Sequence, residues 1–175
     1  MTSEGATVTG PADQGGSVRA ELGSDLRRVM AEYPTGVVLG TAYSADGPVG
    51  MTCNSFTSVS LEPRLVSICA VLTSSTWPLI RAGGHFCVNV VASHHAELTR
   101  TFAMRGVDRF GAGSWGRRPG GPSLSDTMAW LDCRIWAERE AGDHVIVIGE
   151  VQSMEVHARS AEPLVFWRGA YGTVA

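Results

Sequence analysis

The chain predicts a mainly β protein: a closed or split β-barrel, Greek-key-like, with a few peripheral helices. Three observations carry that expectation. Apolar runs of strand length outnumber segments with helical spacing. Several runs are joined by short turns of Gly, Asp and Pro, which makes them antiparallel neighbours. No G-x-G-x-x-G follows a strand, which argues against a dinucleotide-binding α/β sheet.

The elements follow in order. Residues 1–23 are glycine-rich and lack an apolar run, and are expected to form a flexible tail. A single domain then spans 24–175. Ser24 is placed to cap a helix carrying Leu26, Val29, Met30 and Tyr33 at helical spacing, with Pro34 ending it. Gly36–Tyr43 and Val49–Ser55 form a hairpin about Ala45-Asp46-Gly47-Pro48, and the second strand continues extended through Ser60. Leu65–Leu72 is nearly all apolar and is expected to be a buried strand. Thr73–Thr76 opens a short helix with Pro78 in its first turn, where proline is tolerated. Phe86–Val91 is a strand, and Ser93 is expected to cap a helix bearing Leu98 and Phe102. Residues 105–125 are expected to be a long loop, a length that is often functional. Trp130–Glu138 pairs with His144–Val156 across Ala141-Gly142-Asp143, and Pro163–Trp167 is the last strand. Val145–Ile148 is apolar on both faces, so one face needs cover, and a homodimer is the expected source.

Composition narrows the function. The net charge is −3 and no basic run exceeds two residues, which argues against nucleic acid. All 14 basic residues are arginine, which removes lysine Schiff bases and P-loops. Cys53, Cys69, Cys87 and Cys133 form no C-x-x-C pair, and no zinc spacing or other metal site is apparent. Cys69 and Cys87 sit in apolar runs and are expected in the core, as suits a reducing cytoplasm. No segment has the length and apolarity of a membrane span.

Three constellations point to a polar ligand. In Gly50–Ser60, five of eleven residues carry hydroxyls and Asn54 an amide, groups that gain from burial only with hydrogen-bond partners. An unbroken strand puts Thr52, Asn54, Phe56, Ser58 and Ser60 on one face. Thr73-Ser74-Ser75-Thr76 supplies hydroxyls and amides that suit an anion without lysine. Gly142-Asp143-His144 puts an imidazole at the start of an apolar strand. His94 and His95 are expected at an exposed helix start.

These pieces, in this order, resemble the flavin reductase family with the FMN-binding split barrel. The matching residues are Pro34–Val38, Gly47–Ser60, Glu62-Pro63, Ser74–Thr76, Phe86–Val90, Asp108-Arg109-Phe110, Gly142-Asp143-His144 and Gly172. The resemblance implies an NAD(P)H:flavin oxidoreductase that reduces FMN or FAD with NADH or NADPH. It implies delivery of diffusible reduced flavin to a flavin-dependent monooxygenase. It implies flavin contacts from Thr52, Asn54, Ser55 and Ser58, with Thr35 near the ring and Ser75 and Thr76 near the phosphate. Ser60 continues that set along the strand. His144 matches the histidine that meets the nicotinamide nucleotide, and Arg109 serves phosphate or adenine. Cys53 stands where alanine or valine is more usual in that family, so its contact runs through the backbone. Arg64 replaces a second proline, which loosens the loop after Ser60. The alternative is a non-enzymatic module holding flavin tightly. A strand of hydroxyls without carboxylates suits either, because a carboxylate repels a reduced, anionic flavin.

Overall fold

The computed structural model describes residues 16–157 and 161–174. Met1–Tyr33 and Pro34–Ala175 are separate compact units. In the first, helix α1 runs over Gly16–Ala31. Residues 16–23 of the expected tail are therefore helical, and Ser24 lies inside the helix rather than at its cap. The good helix formers Arg19, Ala20, Glu21 and Leu22 carry the helix across Gly23. Residues 1–15 of that tail lie outside the described residues.

The second unit begins with β1 (Thr35–Gly36), β2 (Val38–Ser44), β3 (Gly47–Cys53), β4 (Thr57–Leu61) and β5 (Arg64–Val71). Then follow α2 (Trp77–Gly83), β6 (His85–Val90), a 3-10 turn at Ser93–His95 and α3 (Ala96–Ala103). It closes with β7 (Trp115–Arg117), β8 (Pro122–Leu124), β9 (Ala129–Ala141), β10 (His144–Val156), β11 (Leu164–Trp167) and β12 (Ala170–Thr173). Seven strands form one antiparallel sheet in the order β3-β2-β6-β9-β10-β5-β4.

This order explains the split. Only residues 54–56 separate β3 from β4, yet these strands lie at opposite edges of the sheet. The expected continuous strand is therefore broken, and Thr52 and Ser60 share no face. Ser55 stitches the gap: its Oγ accepts the Cys69 N–H at 2.8 Å. The sheet wraps around Ile68, Phe86, Val88, Cys133 and Val147. Phe86 reaches the centre because position 149 is glycine; a Cβ there lies 2.7 Å from the ring.

Other expectations are corrected. β1 leaves the large sheet and pairs with β11, which turns through Arg168 (φ 49°) and Gly169 (φ 78°) into β12. Pro163–Trp167 is thus not the last strand. The 105–125 loop contains the β7–β8 hairpin. Asn89, fully buried, docks this hairpin: its Oδ1 accepts the Leu124 N–H at 2.7 Å and its Nδ2 donates to the Pro122 carbonyl. β5 alternates instead of being buried throughout, so Cys69 faces outward while Cys87 is in the core. The link after Ser60 is a tight turn at Glu62-Pro63, with Arg64 already in β5.

His95 is buried, contrary to the expected exposed helix start. Its Nδ1 accepts the Ala92 N–H at 3.1 Å, and Ser93, expected to cap the helix, lies inside the 3-10 turn instead. That bond places the neutral ring's proton on Nε2, which lies 3.1 Å from the Asp126 carboxylate in a contact too oblique for a full hydrogen bond. His94, His95 and Asp126 lie close enough to suggest a metal, but a metal on Nε2 needs the other tautomer and breaks the Ala92 bond. Burial lowers the His95 pKa from 6.5, and the neighbouring Asp126 does not restore it. The unfolded chain therefore takes a proton that the folded protein refuses. Stability is expected to fall as pH drops below about 6.5, measured as Tm between pH 8 and 5. His95→Asn keeps an acceptor for Ala92 and is expected to flatten that dependence.

Candidate functional site

A cleft of about 330 Å³ opens where β3, β5, the segment before α2, the end of α3 and the β9–β10 turn converge. Strand alternation sets its walls. On β3, Thr52 points toward α3, where its Oγ1 donates to the Thr99 carbonyl at 2.9 Å. Gly50 lies against α3 too closely for a side chain, since a Cβ there lies 2.6 Å from the Phe102 ring. On β5, Cys69 and Val71 line the opposite wall.

Of the four residues expected to open α2, Ser74 supplies the cap. Ser74 Oγ accepts the N–H groups of Thr76 (3.2 Å) and Trp77 (3.1 Å). The Thr76 hydroxyl is left to accept from Arg109 at 3.3 Å. Ser75 is exposed at the mouth.

Arg109 ties three elements together. Its guanidinium donates to the Gly50 carbonyl on β3 at 3.2 Å, to Thr76 Oγ1, and to the Met104 carbonyl beyond α3. Its Nε is buried without a partner. All its acceptors are neutral, so its charge is uncompensated by any of them. Arg105 is exposed on the same rim. Among the described residues lining the cleft there is no carboxylate. A protein of net charge −3 thus keeps two cations and no anion on this surface.

His144 opens β10 immediately after the turn at Gly142 (φ 64°) and Asp143, and its register partner on β5 is Val71. The imidazole Nδ1 lies 2.7 Å from Asp143 Oδ1, which leaves Nε2 as the ring's second polar atom.

A model of the flavin reductase like domain matches residues 30–175. The chain belongs to the flavin reductase-like family. The reductase is 40% identical over 152 residues to a flavin reductase of Pseudomonas putida, covering 86% of this chain and 89% of that one. It is 38% identical over 150 residues to HsaB of Mycobacterium tuberculosis, the reductase subunit of a flavin-dependent monooxygenase, covering 83% and 79%. In structure it matches a nitrilotriacetate monooxygenase component B homologue from Mycobacterium thermoresistibile. The TM-score is 0.85 at 33% identity, over 90% of this chain and 89% of that one.

Of the residues singled out in the sequence, Thr52, Ser75, Thr76, Arg109 and His144 line the reductase's cleft together. The others do not. Thr35 lies in the small sheet opposite Phe166, its Oγ1 buried without a hydrogen bond. Cys53 is buried, its Sγ 3.0 Å from Ser55 Oγ, and Asn54 is exposed in the bend that follows. Ser55 spends its hydroxyl on β5. Ser58 and Ser60 sit on β4, at the far edge of the sheet.

Cys69 and Arg105 were missed, while Ser74 of the hydroxyl cluster before α2 also lines the cleft. An all-apolar strand carries no signal of which alternate face turns outward, so Cys69 was assigned to the core. Arg105, four residues before Arg109 in the Gly/Arg-rich loop, was a signal in plain view. Cys69 yields a direct test. Burial pushes the Cys87 thiol up to about 12 and raises Cys133 as well, while Cys53 is buried. A thiol reagent on the folded protein is expected to modify Cys69 first, read by peptide mass, and bound flavin is expected to slow it. Faster modification of Cys87 or Cys133 refutes the assignment.

Proposed function

We propose that the cleft receives a flavin and a nicotinamide nucleotide, and that the enzyme reduces FMN or FAD with NADH or NADPH. Reduced flavin then leaves for a separate flavin-dependent monooxygenase. The observation that carries this reading is the lining: hydroxyls, two arginines and one imidazole around an open cleft, without a carboxylate. The hydride chemistry belongs to the nicotinamide and the flavin ring; the protein supplies alignment and electrostatics. Thr52 offers its hydroxyl oxygen to a ring edge. Ser75 and Thr76 face the phosphate, with Arg109 supplying the positive charge. His144 stands across the cleft to meet the nicotinamide nucleotide. Cys53 ends β3 directly after Thr52 and Asn54 follows in the bend, so their backbone runs on from the ring edge that Thr52 meets.

A homodimer suits the outward face of β5, β9 and β10. Cys69, Val71, Ala137, Ile146 and Ile148 lie there, half-covered or exposed, beside the cleft. Such a face gains from burial against a second copy. No described helix is long and apolar enough to cross a membrane, and we place the enzyme in the cytoplasm.

The test is nicotinamide oxidation, followed by absorbance, with all four pairs of nucleotide and flavin. No flavin-dependent oxidation with any pair refutes the reading. A yellow cofactor retained through purification and not turned over identifies a flavin-holding module instead. His144→Ala is expected to raise the nicotinamide KM by about tenfold or more, roughly 1.4 kcal/mol, with a much smaller change in flavin Kd. Equal losses in both overturn the role of His144.

A further inference from the structure

The flavin reading leaves a second hollow unused. It measures about 240 Å³ and is lined by Pro48, Val49, Gly50, Val107, Asp108 and Phe110, with Arg109 shared between it and the first cleft. Gly50 borders the second hollow and Met51 the first, so the two lie end to end along β3 with Arg109 at their junction. The Gly50 carbonyl accepts from Arg109, which holds the guanidinium at that point.

The two hollows differ in chemistry. The first offers hydroxyls and an imidazole. The second offers apolar and aromatic walls, with the Phe110 ring held by Phe102 (centroids 5.1 Å apart) and Trp115 (5.0 Å). Among its described lining residues the one cation is Arg109, at the inner end. Asp108 contributes a carboxylate, whose Oδ1 accepts the Phe110 and Gly111 N–H groups and so stays beside the hollow. A carboxylate there disfavours phosphate within the hollow itself and accepts from sugar hydroxyls. The surface therefore matches a ligand with a flat neutral base at one end, a hydroxylated sugar next to it, and phosphate only where the hollows meet.

We infer that this enzyme takes FAD in preference to FMN, with the adenosine half of FAD seated between Val107 and Phe110 and its phosphate bridge at Arg109. The inference rests on the flavin assignment of the first cleft. FMN ends at its phosphate and leaves the second hollow uncovered. FAD spans both, and its burial of the Val107 and Phe110 surface adds to affinity.

The experiment measures flavin Kd by fluorescence without nucleotide, and kcat/KM with each flavin. It uses the full-length protein, Val107→Trp and Val107→Ala. Val107 is an exposed loop residue, 39% accessible, so the indole fills the hollow without entering a core. The wild type is expected to favour FAD over FMN by about tenfold or more in Kd. Val107→Trp is expected to reduce that ratio to near one, and Val107→Ala to keep most of it. Equal or tighter binding of FMN by the wild type, with turnover intact, overturns the FAD preference and leaves the flavin reading standing. A Val107→Trp protein that keeps the ratio but has a raised nicotinamide KM also overturns it, and assigns the hollow to the adenosine half of the nucleotide donor. Failure of both flavins to bind removes the first-cleft assignment itself.

Discussion

Arg109→Ala is expected to lower kcat/KM for flavin by about 10- to 100-fold, equal to roughly 1.4–2.8 kcal/mol. Two losses combine. The first is the charge: three neutral acceptors surround this guanidinium and none neutralises it, so it is available to an anionic ligand. The second is position, because the same side chain pins the loop after α3 to β3 and to Thr76. The two are separable. Arg109→Lys keeps the charge but loses the planar fork, and is expected to recover part of the affinity. Rising salt is expected to weaken flavin binding in the wild type and to have little effect on Arg109→Ala. A wild-type affinity insensitive to salt, together with an alanine variant of normal flavin KM, refutes both roles.

Phe86→Ala is expected to cost about 3–5 kcal/mol of stability. For a chain of this size that is a drop in Tm of about 10 °C or more. Phe86 is 1% exposed, lies at the centre of the barrel, and is the reason residue 149 has no side chain. It borders neither cleft, so the folded fraction is expected to keep its flavin KM at low temperature. Gly149→Ala should itself be costly, by about 1–3 kcal/mol, because its Cβ meets the ring. The two positions are in contact, so their effects should not add. In a Phe86→Leu background, Gly149→Ala is expected to cost less than it does alone. Additive losses, read from denaturant midpoints, refute the packing account.

The sequence by itself determined what local rules govern. Turn residues and two-residue periodicity located the β2–β3 and β9–β10 hairpins, because a short turn leaves its strands few partners but each other. The turn at Gly142-Asp143 placed His144 at a strand start, and the hydroxyl cluster before α2 marked a helix entry. Neither result depends on distant residues. Tertiary structure decided everything that joins such pieces. Period two alone put Thr52 and Ser60 on one face, yet the three residues between β3 and β4 carry the chain from one edge of a seven-stranded sheet to the other. That crossing is set by barrel closure and by the Ser55–Cys69 bond, which no local pattern encodes. For the same reason Cys69 passed from expected core to cleft wall, and His95 from surface to interior. Arg109 gained its place only when the long loop folded back on β3 and Thr76, where the groups that accept from it are neutral and its charge is left for a ligand.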